Sequence, residues 1–92
     1  DPAAVAGGKL FAQSGCLNCH VYLGEGNQNL GAPELTEVGL RRDAEELKAY
    51  LENPAAFGNN VMVSYGYLGE ENLTNLAAFL GASKGSEAPA GE

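Results

Sequence analysis

The chain has 92 residues and a formal charge of -7, with twelve acidic against five basic side chains. That length allows one small domain, and the acidic balance excludes nucleic-acid binding, which needs a basic footprint. With no Trp, no Ile and 13 glycines, the chain is a poor recipe for a self-sufficient apolar core at this size, and a large flat cofactor would fill the deficit. No apolar run is long enough to span a membrane. No signal peptide is visible, so a membrane tether outside these residues stays open.

In chain order, residues 1–14 are expected to be helical. Asp1-Pro2 fits a cap followed by a first-turn proline. Gly7, Leu10, Phe11 and Ser14 fall on one face, and the glycines suggest close approach by another helix. Gly15 should end this element. Next comes Cys16-Leu17-Asn18-Cys19-His20, which holds both cysteines and the only histidine. Its C-x-x-C-H spacing reads as a covalent attachment site for c-type haem, with thioethers from both thiols and iron ligation by the imidazole. Three other readings compete. A thioredoxin-like pair needs a βαβ context that the chain lacks. A closed zinc site would have to borrow a fourth ligand. A local disulfide beside a chance histidine is the third.

Residues 21–42 are long, irregular and glycine-rich, which suits a segment that wraps something. The carbonyl of Pro33 has no competing N–H of its own and can accept from the haem-ligating histidine, fixing its tautomer; the plain alternative is a stiffened turn. Residues 43–53 read as a second helix, with Asp43 and Glu46 as a capping box and Ala44, Leu47, Tyr50 and Leu51 as the apolar stripe. Asn53-Pro54 stops it. Residues 55–68 are again irregular, with a short helical turn around 55–57, and contain Met62, the only methionine. Residues 69–82 form the third helix, capped by Gly69, buried through Leu73, Leu76, Ala77, Leu80 and Phe79, with Lys84 suiting its far end. Residues 86–92 are expected to be a disordered tail to a domain spanning 1–85. No stretch alternates convincingly as a strand, so the fold class is all-α: three main helices with long loops.

Given a haem, the sixth ligand is approached by elimination. A second histidine is absent, so Met62 is the first choice, on the ligand pairing of electron carriers. Lys9, Lys48 or Lys84 could substitute, or the position could be open. With both axial sites filled, iron has no vacancy for a substrate and passes one electron; with one open, the chain would be a haem enzyme or gas sensor. Asn59 and Asn60 stand near enough in sequence to bond the sulfur or neighbouring backbone. Arg41, Arg42, Tyr50 and Tyr65 are candidates for the propionates, though Arg42 could pair on the surface instead.

These features, in this order, resemble the class I monohaem cytochrome c family over residues 3–84. Gly7-Gly8-Lys9-Leu10-Phe11 before Gly15-Cys16 and the haem motif is similar to the family's first helix. Gly31-Ala32-Pro33-Glu34-Leu35 is similar to its Gly/Pro/Leu loop, Tyr50-Leu51-Glu52-Asn53-Pro54 to the end of its middle helix. Met62 and the Leu73, Leu76, Phe79 and Leu80 pattern are similar to its ligand loop and last helix. Val63 replaces the proline that often follows the ligand methionine, and no Trp is available for a propionate. Residues 17–35 also resemble cytochrome c subunits or domains of membrane oxidases and nitric oxide reductases.

The resemblance implies one haem c, covalent through Cys16 and Cys19, with His20 and Met62 on the iron and Pro33 and Leu35 lining it. It implies a small class I fold in which the first and last helices cross, so that Gly7 and Phe11 meet Leu76, Phe79 or Leu80. It also implies an extracytoplasmic electron carrier and not an enzyme, a monomer passing electrons from a membrane donor to a terminal acceptor of the respiratory chain. Redox partner proteins would present a basic docking face. The alternative is a haem domain of a larger oxidase or reductase. The exposed haem edge is expected to be rimmed by Gln13, Leu17, Tyr22 and residues near Met62.

Overall fold

The computed structural model describes residues 2–18, 20–27, 34–59, 62 and 64–85. The elements are α1 (Pro2–Gln13), a hairpin of β1 (Val21–Tyr22) and β2 (Glu25–Gly26), α2 (Val38–Arg41), α3 (Ala44–Glu52) and α4 (Glu70–Gly81). Short 3₁₀ turns occupy Cys16–Asn18, Pro54–Phe57 and Gly66–Leu68. The architecture is all-α, as the sequence predicts, with three main helices around irregular connections. The tail at 86–92 lies outside the described residues.

The frame is the crossing of α1 over α4. Gly7 makes it possible: a Cβ there would stand 1.9 Å from the Asn75 carbonyl oxygen and 2.8 Å from Phe79 Cβ. Phe11, one turn on, meets Phe79 with ring centroids 5.4 Å apart. The expected meeting of Gly7 and Phe11 with the last helix is therefore observed. On α4 the buried positions are Leu73, Leu76, Ala77, Phe79 and Leu80, the stripe that the 3.6-residue period predicts. Leu76 is 0% exposed, which removes about 1.5–3 kcal/mol worth of apolar surface from water.

Helix α3 begins as predicted. Asp43 Oδ1 accepts from the Glu46 N–H at 2.8 Å, and Glu46 Oε1 accepts from the Asp43 N–H at 3.1 Å, both halves of a capping box. Leu47 and Leu51 are buried, Tyr50 is half-buried and Ala44 is exposed, so the apolar stripe starts one turn later than expected. Lys48 reaches across to pair with Glu70 of α4. Helix α4 ends at Gly81, leaving Lys84 beyond it.

Two features depart from the sequence reading. Residues 21–42 are not wholly irregular. They contain a two-residue antiparallel pairing, Val21 with Gly26 and Tyr22 with Glu25, and the one-turn helix α2. The hairpin turn is Leu23-Gly24, with φ of 50° and 82°. Both values are positive, as a type I′ turn requires, but the usual signal is Asn-Gly. A leucine there hides the turn from sequence inspection and costs roughly 1 kcal/mol. Second, α2 docks on the end of α4 by another glycine contact: a Cβ on Gly39 would lie 2.3 Å from the Gly81 carbonyl oxygen. The Gly39 N–H donates to the Ser83 carbonyl at 2.8 Å.

Candidate functional site

The C-x-x-C-H motif leaves α1 through Gly15, whose φ of 80° turns the chain after the Ser14 N–H has bonded back to the Leu10 carbonyl. The 3₁₀ turn that follows buries Cys16, at 7% exposure, in the same apolar cluster as Phe11, Tyr22 and Leu51. Burial pushes its thiol above the ordinary cysteine range, and a hydrogen bond with Tyr65 partly offsets this. The His20 N–H donates to the Cys16 carbonyl at 2.9 Å, closing the motif on itself, and its residue is half-buried. Cys19 lies outside the described residues.

Strand β2 lies against this loop. A Cβ on Gly26 would stand 2.4 Å from the His20 carbonyl oxygen and 2.9 Å from Leu17 Cδ2. The Asn27 N–H donates to the Leu17 carbonyl at 3.0 Å. Gly26 is a position that sequence reasoning missed. Its one signal is a glycine eight residues past Asn18 with no turn of its own to serve. Strand β1 is fixed on further sides. The Leu35 N–H donates to the Val21 carbonyl at 2.8 Å, and the Leu23 N–H to Thr36 Oγ1 at 2.8 Å. Tyr22 Oη and Ser83 Oγ share a 2.7 Å bond, while Ser83 Oγ donates to the Phe79 carbonyl at 2.8 Å. Burial raises the Tyr22 phenol above its usual range, and the Ser83 bond draws it partly back.

Tyr22 therefore corrects the expected rim. Its ring packs 5.2 Å from both Phe11 and Phe79 and is buried, because the hairpin turns it inward as His20 and Val21 lead away from the motif. Gln13 is exposed and Leu17 half-buried. Pro33 lies outside the described residues. Leu35 is half-buried against the core, and its bond to Val21 brings it alongside the residue after His20.

Met62 arrives from the other side of the sequence. It is half-buried and packs against the core. Its backbone N–H donates to Asn59 Oδ1 at 3.0 Å, and Asn59 Nδ2 donates to Tyr50 Oη at 2.7 Å. Asn60 lies outside the described residues. Three residues beyond Met62, Tyr65 is buried, with its N–H on the Leu51 carbonyl at 2.8 Å and its hydroxyl donating to the Ser14 carbonyl at 3.3 Å. Tyr65 thus ties the methionine segment to the threshold of the cysteine motif. Of the side chains expected at propionates, Tyr50 and Tyr65 belong to this region. Arg41 instead donates to the Glu34 carbonyl at 3.1 Å, and Arg42 pairs with Glu46 at 3.9 Å on the surface.

The described residues offer a buried thiol at Cys16, a half-buried imidazole at His20 and a half-buried thioether at Met62. Leu10, Leu17, Leu35 and Leu68, like Met62, are partly buried and pack on the core. These residues fit a covalently held, largely apolar haem with nitrogen and sulfur axial ligands. A groove of about 450 Å³ between α1 and the hairpin, walled by Val5, Ala12, Leu17 and Leu23, includes none of Cys16, His20 and Met62. Among the described residues no three His, Cys, Asp or Glu side chains gather as a metal site, and no helix is long and apolar enough to cross a membrane. The family model described as cytochrome c matches residues 4–84. Neither a curated protein nor a solved structure matches the chain.

Proposed function

Because the chain belongs to the cytochrome c family, whose work is haem-based electron transfer, we propose that it is a one-electron carrier with a single haem c held by Cys16 and Cys19 and ligated by His20 and Met62. The haem supplies an iron that changes by one electron with no bond made or broken. Cys16 and Cys19 would attach it, and His20 and Met62 would ligate its iron. The observation that carries this reading is the placement of Met62: half-buried, tethered through its backbone, and followed by Tyr65, whose hydroxyl reaches the Ser14 carbonyl. A thioether on the second axial position raises the potential relative to a nitrogen donor, which suits delivery to an oxidase-type acceptor in a respiratory chain.

The acidic surface supports docking to a basic face of a redox partner, in brief encounters weakened by salt. Attachment of haem c after export, the rule in this family, supports an extracytoplasmic location. The spectrum of the oxidised haem-loaded protein tests the axial set. Low-spin iron with a sulfur-to-iron charge-transfer band is expected, and Met62→Ala should abolish that band and lower the potential. High-spin iron that binds cyanide at once would mark an open sixth position and a haem enzyme or gas sensor. Reduction by a basic partner should slow as ionic strength rises; a salt-independent rate would remove the steering argument.

A further inference from the structure

We infer that Asn59 and Tyr50 form a strap that sets where Met62 stands, making both of them positioning residues for the axial thioether. The inference rests on the reading of Met62 as the sixth ligand. Between Gly58, with φ of 89°, and the 3₁₀ turn Gly66–Leu68, the described backbone around Met62 belongs to no helix or strand. The Met62 N–H therefore takes its acceptor from a side chain, Asn59 Oδ1 at 3.0 Å. The other end of the same carboxamide donates to Tyr50 Oη at 2.7 Å. A carboxamide offers an acceptor and a donor on opposite sides of one rigid plane, so a shift of Tyr50 is passed to the Met62 backbone with little slack.

Both anchors of the strap are themselves fixed. Tyr50 stands on α3, the helix with the complete capping box, and its ring packs on Phe57 with centroids 5.3 Å apart. The Asn59 backbone N–H donates to the Pro54 carbonyl at 3.1 Å. The strap thus joins the ligand segment to the middle helix and to the turn Pro54–Phe57. By holding the Met62 backbone N–H, the strap would limit how far the thioether can swing from the iron when its side chain rotates.

The test uses the oxidised haem-loaded protein with imidazole as the competing ligand. The readouts are the rate at which imidazole replaces the native sixth ligand and the intensity of the sulfur-to-iron band. Tyr50→Phe removes one hydroxyl and should raise the replacement rate about three- to tenfold, the range set by one net hydrogen bond. Asn59→Ala should raise it by about tenfold or more. Asn59→Asp keeps an acceptor for the Met62 N–H and can accept from the Tyr50 hydroxyl, so it should restore a rate near that of the parent. Should Asn59→Ala fail to fold, Tyr50→Phe and Asn59→Asp carry the test. Parent-like rates in Tyr50→Phe and Asn59→Ala, or an Asp variant as fast as the Ala variant, would overturn the strap. Met62→Ala separates the two levels: if it keeps the sulfur-to-iron band, the axial reading itself is wrong; if it loses the band while the strap variants match the parent, only the strap is wrong.

Discussion

Where α1 crosses α4, Gly7 admits the Asn75 backbone, Phe11 meets Phe79, and Leu76 is sealed from solvent. Around Met62 the described residues lie in no helix until the 3₁₀ turn at Gly66–Leu68. Beside the packing of Met62 on the core, side-chain hydrogen bonds hold this segment: Asn59 to the Met62 N–H, Ser64 to the Glu52 carbonyl at 2.6 Å, and Tyr65 to the Ser14 carbonyl. The first arrangement is apolar and interlocked, so a change of one methyl group is felt across it. The second is a set of separate polar contacts, each contributing about 1 kcal/mol net and each removable alone. The crossing should govern how hard the protein is to unfold, and, on the proposed ligation, the Met62 segment should govern how iron is held at a given stability.

The sharpest way to break this division is Gly7→Ala. The added Cβ meets backbone, which cannot rotate away, so a loss of about 3 kcal/mol or failure to fold is expected. Urea unfolding followed by far-ultraviolet dichroism measures it. Leu76→Ala should cost about 2–5 kcal/mol by leaving a cavity, yet the folded fraction should keep an unchanged sulfur-to-iron band. A band lost in step with stability would show that the two regions are not separable. Tyr22→Phe removes the bond to Ser83 Oγ, which keeps its own bond to the Phe79 carbonyl. About 1 kcal/mol should be lost with the axial spectrum intact, as the unfolding midpoint and visible spectrum would show. Arg42→Ala marks the low end. Its pair with Glu46 is 3.9 Å long and both side chains are more than half exposed, so the midpoint should move by less than about 0.5 kcal/mol.

What could be read from the sequence was local or periodic. The capping box of α3 needs only Asp43 and Glu46 three residues apart, and the buried face of α4 follows from a repeat of 3.6 residues. The crossing was legible because Gly7 and Phe11 share a helical face and the resemblance supplied its partner. The contacts that position the site were less so. Tyr22 bonds Ser83, and Gly39 meets Gly81, across spans that no local pattern marks. Tyr22 was expected on an exposed rim because nothing in its neighbourhood announced a hairpin; a leucine in the turn hid it. Asn59 was legible as a polar neighbour of Met62, but Tyr50 as its second partner depends on how the turn after Pro54 folds back onto α3. Gly26 against His20 belongs to the same class: a backbone approach that only the path of the chain decides.

The crossing of α1 and α4 has a consequence for how such a chain can change over time. It joins Pro2–Gln13 to Glu70–Gly81, so the residues between them form a closed loop. Closing a loop costs free energy that grows only with the logarithm of its length, about 0.6 kcal/mol per doubling. Residues can therefore be inserted into or deleted from the connections between α1 and α4 at small thermodynamic cost while the frame stays as it is. Cys16, His20 and Met62 themselves lie on those connections. The connections can be lengthened, shortened or rebuilt, and the crossing helices that frame the protein need not take part.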